Sequence, residues 1–345
     1  MVMKTVTPGQ LSRILNDMAI SGGFPVMIWG APGIGKSEIV REVARDRKLE
    51  VLDMRLNYYE ESDLLGIPMR TDEGMKFIKY SSFPSSGHGL WFFDELTHAR
   101  TSIQGLVFEL INDGKIEDYS VPDGWRHFVG ASNLPRHKSI SNPMPTGLAS
   151  RFTGGHYELV PDIADWVSWA NSNGVDERVI SFVSYMENND SLPWLLRMDS
   201  DDLLNPRLWS TGISHAVKNF HGKHLENILG GLMGETNATE FLRYLQQSEG
   251  LPGYQEIMKE PHKWLSAQQD PSRVYLFLNS IIRNTANGKI PIDSSLEVLS
   301  KIQHEFMSFA LTALSRAMKE EDLLSSRVFR ENTELFSEVL GLEGE

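Results

Sequence analysis

From Gly30 to Ser37 the chain reads GAPGIGKS, which satisfies the pattern G-x-x-x-x-G-K-[ST]. Gly30, Ala31, Pro32, Gly33, Ile34 and Gly35 form a loop whose backbone N–H groups can close on phosphate oxygens, with glycine where the chain must turn sharply. Lys36 supplies a point charge for the β- and γ-phosphates, and the Ser37 hydroxyl can ligate Mg²⁺. A helix beginning near Lys36 aims the positive end of its dipole at the anion. Further along, LWFFDE at Leu90 to Glu95 is an apolar run that stops at two acids. Asp94 suits a Mg²⁺ ion held through its shell of water, and Glu95 suits a group that polarises the water attacking a γ-phosphate. Asn133, closing FVGASN, can hydrogen-bond that phosphate or position the water. Arg151 and Arg207 are candidates for stabilising charge, although spacing alone does not separate them from solvated surface arginines.

These side chains need elements to hold them. Val26 to Trp29 is a short apolar strand before the phosphate loop, and Ser37 to Arg45 follows with Ile39, Val40 and Val43 at helical spacing. Upstream, Pro8 to Ile20 places Leu11, Ile14, Leu15 and Met18 on one helical face, with Thr7 as N-cap and Ser21-Gly22-Gly23 as the stop. Glu50 to Leu56 reads as a second strand. Asn57 to Gly89 is irregular and rich in Gly, Pro and Ser, with Phe77 to Tyr80 as a short strand or hairpin arm. Leu90 to Phe93, wholly apolar, suits a parallel strand buried on both faces with its carboxyl end at a ligand crevice. Thr101 to Ile111 is helical. Pro122-Asp123-Gly124 carries turn chemistry, so a hairpin is expected between Ile116–Tyr119 and Trp125–Gly130. The latter run continues to Ser132, and His156 to Val160 is a further strand. After Pro161 the apolar period changes from two to about 3.6. Val179 to Met186, Asn205 (N-cap) to Phe220, Val274 to Ile282 and Leu296 to Met318 are helical. An α/β first half therefore precedes an all-helical second half.

With 345 residues, 41% of them hydrophobic, the chain can bury a substantial core and is expected to form more than one domain. It has no cysteine, which excludes disulfides, thiolate metal sites and cysteine nucleophiles. The first residues lack a signal-peptide core and no run approaches a membrane span, so a cytoplasmic location is the expectation. A formal net charge of −13 opposes non-specific nucleic-acid binding.

GAPGIGKS, LWFFDEL, FVGASN, GLASRF and NPRLW, in that order, resemble the AAA+ ATPases of the MoxR type, in the branch with a helix-2 insertion and a pre-sensor-1 hairpin. DLLGIP at Asp63 to Pro68, DWVSWANSNGV at Asp165 to Val175 and GLMGETNATEFLRYL at Gly231 to Leu245 extend the resemblance over most of residues 1–280. It implies a P-loop AAA+ domain with a parallel central sheet flanked by helices (residues 1–160), an all-helical lid (161–250) and a helical C-terminal extension (251–345). ATP and Mg²⁺ are the implied cofactors. Lys36 and Ser37 take the Walker A roles, Asp94 and Glu95 Walker B, and Asn133 sensor 1. Arg151 becomes an arginine finger acting on the neighbouring subunit's nucleotide, and Arg207 becomes sensor 2. Gly66 to Phe83 would hold the helix-2 insertion and Ile116 to His127 the pre-sensor hairpin.

An arginine acting across a boundary implies a homo-oligomeric ring, a hexamer in much of the superfamily. MoxR-type relatives frequently work with a protein carrying a von Willebrand factor A domain, so a protein client of that kind is expected. One departure matters: where relatives often read DELNRA, this chain has Asp94-Glu95-Leu96-Thr97-His98-Ala99, which raises a slow or differently gated hydrolysis. The rival readings are a nucleic-acid translocase on the same motor, disfavoured by the acidic balance, and a nucleotide-gated scaffold that hydrolyses little. His221 and His224 read as a polar helix end rather than a metal site, and Trp166 and Trp169 as helical core.

Overall fold

The uncharged apolar runs become strands. A computed structural model describes residues 3–72, 74–78, 83–137, 142–190, 192–197, 204–248, 259, 271–318 and 320–340. It divides into two units, Met1–Val160 and Pro161–Glu345.

The first unit is built on a six-stranded sheet in the order β1 (Lys4–Val6), β10 (His156–Leu159), β2 (Val26–Gly30), β9 (Phe128–Ser132), β6 (Gly89–Asp94), β3 (Glu50–Arg55). All neighbours run parallel. Every residue of β2 and β9 is buried, as are the first five of β6, which is why these three strands carry no alternating polar face. Trp29 pairs with Ser132 and Phe93 with Gly130, so the carboxyl ends of β2, β9 and β6 finish side by side. That line is the crevice where open parallel sheets bind ligands. Helices α2 (Lys36–Asp46) and α4 (Thr101–Asp113) flank the sheet, and α5 (Thr146–Arg151) precedes β10. Trp91, Phe93, Phe128 and Trp125 fill the core beneath them.

Several expectations shift in detail. The first helix keeps Thr7 as its N-cap, in a capping box with Gln10, but only Pro8–Ile14 is α-helical and Leu15–Ser21 widens to a π-helix. The irregular segment contains a short helix α3 (Glu61–Leu65) and a hairpin of β4 (Ile67–Thr71) with β5 (Gly74–Ile78); Lys79 and Tyr80 of the expected Phe77–Tyr80 strand lie outside the described residues. Ile67, Met69, Met75 and Ile78 on that hairpin are exposed.

The second hairpin is a correction. It joins β7 (Lys115–Ile116) to β8 (Tyr119–Ser120) and turns at Glu117-Asp118, with Glu117 at φ 47°. Pro122-Asp123-Gly124 instead leads into a 3-10 turn at Asp123–Trp125 that enters β9. Trp125 decides this: its ring lies over Gly89, and its indole N–H donates to the Ser86 carbonyl at 2.9 Å, which draws the segment onto β6 rather than into a two-stranded ribbon.

The second unit is helical: α6 (Ile163–Ser172), α7 (Glu177–Asn189), a π-turn at Leu208–Ile213 running into α8 (Ser214–Asn219), α9 (Gly222–Met233), α10 (Glu235–Ser248), α11 (Pro271–Ala286), α12 (Ile292–Leu299), α13 (His304–Ala317), and the short α14 (Glu320–Ser325), α15 (Arg327–Glu331) and α16 (Thr333–Leu340). The stretch expected over Leu296 to Met318 is thus two helices, separated where Lys301 and Ile302 bond back to Val298 and Leu299 in a tight turn. One hydrophobic core runs through the unit from Trp166 to Phe336 and includes Phe182, Trp209, Tyr275 and Leu311. Arg316 on α13 pairs with both Asp162 and Asp165 at the start of α6. Trp166 is core, as expected, and His221 and His224 sit at the start of α9, where His224 stacks edge-on against Phe220.

Candidate nucleotide site

The phosphate loop leaves β2 at Gly30 and enters α2 at Lys36. Gly33 (φ 75°) and Gly35 (φ 111°) occupy backbone conformations that L side chains rarely adopt, which is how the loop folds back within four residues. Lys36 is only 8% exposed. Its ammonium donates to the Gly30 carbonyl at 2.9 Å, the Ala31 carbonyl at 3.1 Å and Asn133 Oδ1 at 2.8 Å. A buried ammonium has to be met by acceptors, and here the loop and the end of β9 supply them. The lysine therefore bridges the turn after β2 to the residue after β9.

Ser37 opens the other half. Its hydroxyl donates to Asp94 Oδ2 at 3.0 Å, and Asp94 Oδ1 accepts the Glu95 backbone N–H at 2.9 Å. Glu95 takes a left-handed conformation (φ 57°, ψ 33°), uncommon outside glycine, and starts a 3-10 turn at Leu96–His98. Lys36, Ser37, Asp94, Glu95 and Asn133, scattered over about a hundred positions, thus meet at the ends of β2, β6 and β9. The donor set suits the implied cofactors. Both donors are hard oxygens 3.0 Å apart, so Ser37 could ligate Mg²⁺ directly while Asp94 holds it through bound water. Among the described residues no group of three or more His, Cys, Asp or Glu side chains could hold a metal alone. A metal at Ser37 and Asp94 would complete its shell with water and phosphate, as Mg²⁺ commonly does.

Neither arginine bonds to this cluster among the described residues. Arg151 is exposed at the end of α5, its guanidinium 5.1 Å over the Phe108 ring, and it has no ion pair among the described residues. Arg207 is exposed in the second unit, one residue before the π-turn, where Asn205 Oδ1 caps the chain by accepting the Leu208 N–H at 2.9 Å.

Two connections carried no sequence signal of their own. His156 opens β10, where Trp29 Nε1–H donates to its Nδ1 at 3.2 Å and its Nε2 meets the Ala149 carbonyl at 2.9 Å. These partners require the neutral ring with its proton on Nε2. Burial holds its pKa below the ordinary histidine value, against the opposing pull of the Ala149 carbonyl. The neutral ring ties α5, which carries Arg151, to the strand that launches the phosphate loop. The second connection is the hydroxyl pair of Thr97 and Ser132, both nearly inaccessible. Thr97, noted in the sequence as a departure beside His98, faces inward onto β9.

Residues 25–152 match the family model described as AAA domain (dynein-related subfamily). No curated protein matches the sequence. Similar solved structures include NtrX from Brucella abortus in complex with ATP, at 14% identity over 89% of this chain and 67% of that chain, with a TM-score of 0.42. Another is the RuvB Holliday junction branch migration motor of Thermotoga maritima, at 14% identity over 73% of this chain and 76% of that chain, with a TM-score of 0.38. The six-stranded parallel sheet, four of whose strands lie in the matched segment, constitutes an AAA+ P-loop fold, and a helical region follows it. Among the described residues, no helix is long and apolar enough to cross a membrane.

Proposed function

We propose that the protein is a Mg²⁺-dependent ATPase that works as a homo-oligomeric ring and remodels a protein partner, in the manner of MoxR-type AAA+ proteins, with a von Willebrand factor A-domain protein as the expected client. The observation that carries this reading is the division of the site: Lys36 bonds Asn133, Ser37 bonds Asp94, and Asp94 accepts the Glu95 N–H at the ends of neighbouring strands, while Arg151 on α5 is exposed and has no ion pair among the described residues. Bound Mg²⁺ would offset the charge of the phosphates. Lys36 and the Gly30–Gly35 loop hold the phosphates, Ser37 and Asp94 hold the ion, Glu95 orients and polarises the attacking water, and Asn133 positions it. Arg151 then serves the adjacent subunit's site, so catalysis waits on assembly. Arg207, on the helical side, would sense the γ-phosphate and couple it to a lid spanning residues 161–250, with residues 251–345 as an extension.

Purified protein should hydrolyse ATP well above the level of Lys36→Ala, with activity rising with protein concentration as rings assemble. Equal rates for the two proteins, with partner present, would refute the enzymatic reading. Glu95→Gln loaded with ATP should retain a protein client through affinity capture; retention of nucleic acid alone would transfer the motor to a translocase role.

A further inference from the structure

We infer that Thr97 is a positioning residue: with Ser132 it forms a buried node that sets the Glu95 turn against Asn133 and ties both to the segment leading to Arg151. This rests on the hydrolytic reading above and adds to it the part that couples its separate groups.

The Glu95 turn needs an external hold. Its left-handed backbone is disfavoured for a glutamate, and such a conformation persists where surrounding bonds over-determine it. Asp94 secures the N-terminal side through the Glu95 N–H, and His98 N–H closes the turn on the Glu95 carbonyl at 2.8 Å. On the C-terminal side all three polar groups of Thr97 are engaged. Its N–H donates to Ser132 Oγ at 3.3 Å, its hydroxyl pairs with the same Ser132 hydroxyl, and its carbonyl accepts the Asn142 N–H at 2.6 Å. Ser132 is 1% exposed and Thr97 3%, so these bonds form away from water, where a lost partner is expensive.

The three arms lead to three functional groups. Ser132 is the last residue of β9 and directly precedes Asn133. Thr97 lies two residues beyond Glu95. Asn142, which also donates its side-chain amide to the Ala99 carbonyl at 2.9 Å, stands a few residues before α5, the helix that ends at Arg151. A shift of Asn133 on meeting phosphate, or of α5 on meeting a neighbour, reaches Glu95 through Thr97. A purely structural hydroxyl pair would stabilise the domain and do nothing selective to turnover.

The test uses the full chain with Thr97→Val, Thr97→Ser and Ser132→Ala, and reads three quantities. Thr97→Val and Ser132→Ala should lower kcat by about tenfold or more, since small misplacements of a reacting group are costly, while KM and affinity for a fluorescent ATP analogue stay within about twofold. Thr97→Ser, which restores the hydroxyl, should recover most of kcat. Independently of turnover, amide hydrogen exchange in Thr97→Val should quicken both in the peptide covering Asp94–Ala99 and in that covering Ala131–Leu134. Wild-type kcat in Thr97→Val, kcat and affinity falling together, or faster exchange confined to the Asp94–Ala99 peptide would each overturn the node. If wild type turns over no faster than Lys36→Ala, the hydrolytic reading fails, and the exchange measurement still decides whether the node exists.

Discussion

The placement of Arg151 makes a quantitative prediction about mixed rings. Among the described residues, Arg151→Ala removes an exposed cation–π contact, 5.1 Å over Phe108, worth about 0.5–1 kcal/mol. For a unit of this size that lowers the melting temperature by about 1–4 °C. An arginine that stabilises phosphoryl-transfer charge contributes a factor of about 10³–10⁵ in turnover. Activity should therefore collapse in a protein that is almost as stable as wild type. Glu95→Gln should be equally inactive for a separate reason. If the arginine acts across the boundary, mixing the two inactive proteins in equal amounts repairs some sites. A competent site needs Glu95 from an Arg151→Ala subunit and Arg151 from a Glu95→Gln neighbour. Random head-to-tail assembly places that pair at about a quarter of the boundaries. The assay is ATPase rate against mixing ratio after subunit exchange, with exchange verified by fluorescence transfer between labelled subunits. The expected curve rises from near zero to a maximum near the equal mixture. A flat curve with exchange confirmed would refute action in trans, and an Arg151→Ala protein with normal turnover would refute any catalytic part for this arginine.

Three other outcomes follow from local physics. His156 is neutral and its pKa is depressed in the folded chain, whereas the unfolded chain titrates near the ordinary value of about 6.5. Above that pH the ring costs nothing; as pH falls below it the unfolded state binds the extra proton, so stability drops by up to about 1.4 kcal/mol per pH unit until the folded-state pKa is reached. Urea unfolding between pH 8 and pH 5 should show this slope, and His156→Gln should flatten it. Gly89→Ala would drive a methyl group to 2.3 Å from the Trp125 ring, so chemical denaturation should show a loss of about 1–3 kcal/mol from overpacking. Ser37→Ala removes an oxygen that would face a bound Mg²⁺; Mg²⁺-free nucleotide binding should persist while turnover falls and its Mg²⁺ dependence weakens, read by titrating Mg²⁺ at fixed ATP.

The sequence by itself determined the parts whose chemistry is local. GAPGIGKS requires glycines at fixed offsets and a lysine after the turn, and a short uncharged run such as LWFF stopping at acids suits a strand buried on both faces of a parallel sheet, so the loop, strands β2, β6 and β9, the acids at the end of β6 and the Asn133 after β9 were legible from types and spacing. The change of period after Pro161 likewise announced the helical unit. What only the tertiary structure decided depends on side chains far apart in the chain. Pro122-Asp123-Gly124 has strong turn chemistry of its own, yet Trp125 had a place to pack over Gly89, and burying that ring outweighed a two-stranded hairpin there. Thr97 read as a substitution beside Glu95 and became, across 35 positions, the partner of Ser132. His156 read as the start of a strand and became, across 127 positions, the acceptor of Trp29. Periodicity reports which face of an element is apolar and therefore inside; it carries nothing about which buried polar groups will find each other, because that is settled only when the strand order brings β10, β2, β9 and β6 side by side.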